Sequence, residues 1–177
     1  MFVVKRDGRH EPVHFEKIQL RIESLRKERN LLAVDAASLA QKVIEGLYSG
    51  VTTAQLDTLA AETAASKILE HPDFGRMAAA IEISSLHKEV TGTFSDVIAR
   101  LAQYRHPITG AVAPLIDPHI AAIVESHAEE LNDAIDYNLD YDFSYFGFKV
   151  LEKSYLLRMQ DKVATRPQDM FMRVSVG

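Results

Sequence analysis

Apolar positions along the chain repeat first at a strand-like interval and then, for most of its length, at a helical one. Phe2, Val3 and Val4 form a short apolar run, and Val13 and Phe15 form a second. Asp7-Gly8 lies between them, a pair that favours a two-residue type I′ turn because both central residues need positive φ. The opening therefore predicts a β-hairpin. Phe15, Ile18, Ile22 and Leu25 then recur every three or four residues, the spacing of one helix face, with Asn30 as its stop. Asp35 is a fitting cap for a second helix carrying Leu39, Val43, Ile44 and Leu47 and ending near Gly50. Thr52 and Thr53 are expected to cap a third through Leu56, Leu59, Ala60, Ala64 and Ile68. His71-Pro72-Asp73 interrupts it, since proline disfavours helix in its predecessor. A fourth carries Phe74, Met77, Ala78, Ile81 and Leu86 to about Val90.

Thr91-Gly92-Thr93 reads as a joint. Beyond it, Phe94, Val97, Ile98, Leu101 and Tyr104 predict a helix. Pro107, Gly110, Pro114 and Pro118 keep the following stretch irregular. Ile120, Ile123 and Val124 restart a helix, extended through Leu131 and Ile135. From Asp136 to Phe148, aromatic residues interleave with Asp136, Asp140 and Asp142. That stretch reads as buried aromatics with acidic turns rather than paired catalytic carboxylates, because no polar partner for them is evident. A second hairpin is expected around Gln160-Asp161, and Pro167 opens a final helix with Met170, Phe171, Val174 and Val176. The fold class is mainly α: a β-hairpin cap on a four-helix unit over residues 1–91, then a second helical region with a small β-hairpin over 92–177. The chain stops at Gly177 on an unfinished apolar face, which predicts a piece of something longer.

Composition narrows the function. With 47% apolar and 25% charged residues the chain can fill a packed core. A net charge of −5 argues against a general nucleic-acid binder, which needs a basic face. No apolar run approaches the roughly 18 residues of a membrane span, and charges from Lys5 onward break any signal-peptide core, so a cytoplasmic setting is expected. Cysteine is absent, which removes disulfides, thiolate metal sites and cysteine nucleophiles. The seven histidines lack metal-ligand spacing, and no Walker-type phosphate loop is present.

One local concentration of charge runs against the acidic balance. Lys5 and Arg6 stand at the first turn, and Lys17 lies near a helix start, where backbone N–H groups also favour anions. Together they form a candidate polyphosphate seat. Taken alone, Lys5, Arg6 and Arg9 read equally well as solvated hairpin charges that discourage edge pairing.

The string VVKRDGRHEPVHFEKI resembles the start of an ATP-cone, a nucleotide-sensing module. QKVIEGLYSGVTTAQLDTLAAETAA, LHKEVTGTFSDV, DYDFSYFGFKVLEKSYLL and RPQDMFMRVSVG resemble the N-terminal region of the class I ribonucleotide reductase large subunit of the eukaryotic type. The resemblance implies a site that takes ATP as activator or dATP as inhibitor, with Mg²⁺ carried on the phosphates. The positions matching the family's motif are Lys5, Arg6, Glu11, Pro12, Val13, His14, Phe15, Glu16, Lys17, Thr53, Asp57 and Lys88. Lys5, Arg6, Lys17 and Lys88 suit the triphosphate. Glu11 suits the adenine amino group, and Val3, Val13 and Ile18 suit the walls around the base. Asp57 suits the sugar side, or the orientation of Lys5 or Lys17. His14 stands where the family varies, and Glu16 where an acid is common.

The resemblance further implies a region lying ahead of a catalytic barrel that bears the reactive cysteines. A chain cut before that barrel would lack catalytic residues and be inactive alone. A radical-generating small subunit is the implied partner. The implied assembly is a dimer of large subunits, or a hexamer with dATP. Two other readings stay open at this point: a stand-alone cone-bearing regulator of a partner, and a helical domain that has lost nucleotide binding.

Overall fold

The computed structural model describes residues 1–177. It contains nine α-helices and five short strands, and the chain divides into two compact units. One comprises Met1–Ser85 with Ser144–Phe146, and the other Leu86–Phe143 with Gly147–Gly177.

The first unit opens with strands β1 (Phe2–Val4) and β2 (His10–Pro12), paired antiparallel with Val3 opposite Glu11. The second strand thus precedes Val13 and Phe15, where it was expected, and Phe15 is already helical. The turn also differs from a type I′ pair. Lys5 N donates to Arg9 O at 2.8 Å and Gly8 N to Lys5 O at 2.9 Å. The loop is therefore three residues, Arg6-Asp7-Gly8, and only Gly8 has positive φ, at 81°. A three-residue hairpin loop closes with a left-handed third residue, and glycine takes that position without Cβ strain. The arrangement puts Arg6 in the loop and leaves Lys5 at its mouth.

Helix α1 (Phe15–Glu28) buries Ile18, Ile22 and Leu25, the face its spacing predicts. Asn30 stops the chain with φ of 53°, a conformation asparagine tolerates better than most residues. Helix α2 (Ala36–Glu45) is capped by Asp35, whose carboxylate accepts from Ala37 N and Ser38 N. It ends at Glu45 rather than near Gly50, because Val51–Thr52 forms strand β3. β3 pairs parallel with β1, Val3 beside Val51. The cap is accordingly a three-stranded sheet, order β2-β1-β3, and not a lone hairpin. Helix α3 (Thr53–Ala65) is capped by Thr52, with Thr53 as its first helical residue. Thr52 Oγ accepts from Gln55 N, and the Gln55 side chain accepts from Thr52 N, a reciprocal box that satisfies two otherwise orphaned donors. Helix α4 (Pro72–Glu89) starts inside the expected interruption, at Pro72 rather than Phe74, because proline is tolerated in the first turn of a helix, and it buries Met77, Ala78, Ile81 and Ile83.

The second unit holds α5 (Phe94–Ala102), whose Phe94, Val97, Ile98 and Leu101 are all buried. The helix expected from Ile120 to Ile135 is instead two, α6 (Pro118–Ser126) and α7 (Ala128–Ala134), broken at His127. A 3₁₀ turn over Tyr137–Asp142 precedes α8 (Tyr145–Ser154). Strands β4 (Arg158–Met159) and β5 (Lys162–Val163) form the second hairpin. There both Gln160 and Asp161 have positive φ, at 50° and 65°, the backbone of a two-residue type I′ turn. Helix α9 (Pro167–Val176) ends the fold.

The acidic-aromatic stretch does have a polar partner, contrary to expectation. Asp140 is fully buried. It accepts from Gln168 N at 3.0 Å and lies 2.7 Å from His87 Nε2. Histidine and carboxylate are thus satisfied within the fold, as buried polar groups must be.

Candidate functional site

Two carboxylates organise the charged end of the first unit, and four cations gather on them. Glu11, on β2, lies 3.1 Å from Lys5 Nζ and also accepts from Lys17 Nζ. His14 Nε2 stands 3.9 Å from the same carboxylate. The hydrogen bond from Lys17, followed by that from Lys5, holds the Glu11 carboxyl down at about 2. Asp57, on α3, is buried at 6% exposure. Its Oδ1 accepts from Arg21 Nε at 2.8 Å, and its Oδ2 lies 3.4 Å from Arg6 Nη2. Arg6 Nη2 also donates to Ser85 Oγ at 2.8 Å, and Arg21 Nη2 lies 3.5 Å from Ser84 Oγ.

The backbone explains why the two clusters adjoin. Lys5 and Arg6 are consecutive. Lys17 and Arg21 are one helical turn apart on one face of α1. One cation of each pair reaches Glu11 and the other reaches Asp57. The same four charges are thus tied to the hairpin, to α1, to α3 and, through the two serines, to α4. Side-chain exposures of 31% for Lys5, 32% for Arg6 and 27% for Arg21 leave all three within reach of solvent.

The remaining expected residues fall as follows. Pro12, His14, Phe15, Glu16 and Lys17 are exposed at the entry to α1, and Val13 is half-buried there. Glu16 lies in the first turn of α1, where a carboxylate meets the positive end of the helix dipole. Thr53 is half-buried one turn before Asp57 on α3. Lys88 is exposed on the last turn of α4 and belongs to the second unit. Of the two roles expected of Asp57, the orienting one falls on Arg6 and Arg21 rather than on Lys5 or Lys17. Arg9 turns away to Asp7, its Nε donating to Asp7 Oδ2 at 2.7 Å.

Sequence reasoning passed over Arg21, Ser84 and Ser85. Arg21 carried a usable signal, because it lies four residues after Lys17 and so repeats a cation on the same face. Ser84 and Ser85 carried a weaker one, a hydroxyl pair within the apolar run Ile81, Ile83, Leu86.

The donor set suits a polyphosphate in kind, because two lysines and two arginines, all partly open to solvent, can each donate to phosphate oxygens.

A small mixed sheet capping four helices, with cations gathered at the hairpin loop and the first helix, is the architecture of a nucleotide-sensing cone. The family model described as the ATP cone domain matches residues 1–89, and this chain belongs to that family. A second family model, the all-alpha domain of ribonucleotide reductase, matches residues 141–177. Over 176 residues the chain is 52% identical to the ribonucleoside-diphosphate reductase large subunit of Caenorhabditis elegans, covering 99% of this chain and 22% of that protein. It is 50% identical over 177 residues to large chain 2 of the same enzyme in Saccharomyces cerevisiae, covering all of this chain and 20% of the relative. The large subunit of Danio rerio is likewise 50% identical over 177 residues, with 22% of its length covered. The chain thus spans about a fifth of the length of these curated relatives. No helix is long and apolar enough to cross a membrane.

Proposed function

We propose that this chain is the regulatory N-terminal portion of a ribonucleoside-diphosphate reductase large subunit, with residues 1–91 as the sensor and 92–177 as the helical region that leads to the catalytic part. ATP and dATP compete for the seat, ATP as activator and dATP as inhibitor, each with Mg²⁺ on its phosphates. The observation that carries this reading is the gathering of Lys5, Arg6, Lys17 and Arg21 around Glu11 and Asp57, with all four side chains partly open to solvent.

Lys5, Arg6 and Lys17 serve the phosphates, Arg6 with the planar fork that grips two oxygens at once. Glu11, Pro12, Val13, His14, Phe15 and Glu16 line the base side. Thr53 and Asp57 face the sugar, and Asp57 is the group through which a 2′-hydroxyl is told from its absence. The bound species shifts the populations of the sensor's packing states, and only differential contact with the two sugars can do so. In the whole protein this controls deoxyribonucleotide synthesis in the cytoplasm, an oxidoreductase reaction by thiyl-radical chemistry. Its partners are a radical-generating small subunit and further copies of the large subunit. This chain has no cysteine and supplies regulation, not turnover.

Titration calorimetry with ATP and dATP in the presence of Mg²⁺ tests the proposal. One competitive site is expected, and Asp57→Asn is expected to shift the ratio of the two affinities by roughly fivefold or more. Two independent sites, or a ratio untouched by Asp57→Asn, would contradict it.

A further inference from the structure

We infer that Arg21 is the positioning residue for the Asp57 carboxylate, and that discrimination between effectors differing at the ribose 2′ position depends on it. This rests on the nucleotide-sensor reading above. The geometry is unequal in a telling way. Arg21 Nε holds Asp57 Oδ1 at 2.8 Å, whereas Arg6 stands 3.4 Å from Oδ2 and makes its short bond, 2.8 Å, to Ser85. Arg6 belongs to the three-residue hairpin loop, while Arg21 projects from the second turn of α1 between the buried Ile18 and Ile22. The two arginines therefore differ in role. Arg6 lies on the loop and reaches Asp57 at the longer distance, whereas Arg21 starts from a helix whose flanking residues are buried and makes the shorter bond.

Without Arg21, Asp57 would be a buried carboxylate whose remaining partner is needed elsewhere, and burial penalises such a charge unless it is paired. Its oxygens would then be free to reorient, and its aim at the sugar would be lost. Arg21 also lies one turn from Lys17, so the residue that steadies the sugar side sits on the same helix face as one that serves the phosphates.

The test is a double-mutant cycle on the whole 177-residue chain, reading the affinities for Mg²⁺-ATP and Mg²⁺-dATP and the ratio between them. Arg21→Gln is expected to move the ratio by roughly fivefold or more. Arg21→Lys, which keeps a donor and a charge, is expected to restore most of it. In an Asp57→Asn background, Arg21→Gln is expected to change the ratio no further, because residues that act through one another are not additive. A purely structural role for Arg21 would weaken both nucleotides by one common factor. An unchanged ratio in Arg21→Gln, or an additive effect with Asp57→Asn, overturns the inference alone. Failure of the unaltered chain to bind either nucleotide overturns the sensor reading and this inference with it. Circular dichroism of each variant identifies misfolding, and Arg21→Met, which keeps the apolar stem but donates nothing, carries the same test if Arg21→Gln does not fold.

Discussion

Replacing Asp169 removes the anion from a buried cluster in the second unit, and the structure gives the size of the effect. Asp169 is 1% and Arg166 7% exposed. Asp169 Oδ2 accepts from Arg166 N at 2.8 Å and Nε at 3.0 Å, and Oδ1 accepts from Tyr137 OH at 2.6 Å. Burial and the neighbouring Asp169 push the Tyr137 hydroxyl well above its ordinary value, so it stays a donor at neutral pH. The Arg166 guanidinium lies 3.6 Å from the Tyr137 ring centre and donates to Gly92 O at 2.9 Å. Asp169→Asn keeps the shape and an acceptor for the start of α9, but leaves Arg166 as a buried cation without its counter-ion. Breaking such a pair costs about 3–5 kcal/mol. The partial compensation by the Tyr137 ring and Gly92 O puts the expected loss near 3 kcal/mol. For a cooperative unit of about ninety residues this is a fall in melting temperature of roughly 12–24 °C. Arg166→Met with Asp169→Leu removes both charges, and the pair is expected to cost less than Asp169→Asn alone, because a buried ion pair recovers little beyond its own desolvation. Urea unfolding followed by far-UV circular dichroism measures Asp169→Asn, the single changes Arg166→Met and Asp169→Leu, and the double variant. If the double variant loses as much as the two single variants summed, the cluster is not held by mutual charge compensation and the reasoning fails.

Gly8→Ala should destabilise by about 1–2 kcal/mol through its left-handed backbone alone, because no atom lies within 4 Å of the added Cβ. Gly8→Asn should cost less, and urea midpoints of the two variants decide the order. Changing Gln160-Asp161 to Asn-Gly should stabilise the second hairpin by about 0.5–1 kcal/mol, since both positions already have positive φ. No gain in the urea midpoint would refute the turn assignment. Glu11 and Glu23 are held at about 2 by hydrogen bonds from Lys17 and Arg26 respectively. A carboxyl lowered on folding contributes stability above its unfolded value of 4.5, and that contribution disappears as pH falls toward 2. Stability should therefore decline with acid across that window, and more gently in Glu11→Gln and Glu23→Gln. An unaltered slope in the variants would remove these pairs from the account.

How much could be read from the sequence depends on the range of the interaction concerned. α1 and α5 were legible because their apolar faces repeat within a few residues, and Asp35 because a cap acts on its own helix. β3 was not, since two residues carry no periodicity and Val51–Thr52 becomes a strand only by pairing with β1 about fifty residues earlier. Asp7-Gly8 signalled a turn but not its length, because a glycine closing a three-residue loop and a glycine inside a type I′ pair read alike. The Lys5 and Arg9 pairing decides between them. Lys5, Arg6 and Lys17 stood out by local density. Arg21 looked like any solvated helix cation until Asp57, 36 residues away, came to rest beside it. The match of Asp140 to His87, 53 residues apart, was hidden for the same reason.

The central claim is that the cations at the hairpin and α1 seat a nucleoside triphosphate. The most direct measurement is the affinity of the chain for Mg²⁺-dATP and Mg²⁺-ATP with and without Lys5→Gln and Lys17→Gln together. Losing two phosphate partners of about 1.5 kcal/mol or more each should weaken both nucleotides by at least roughly a hundredfold. Equal affinity in the altered and unaltered chains would contradict the account.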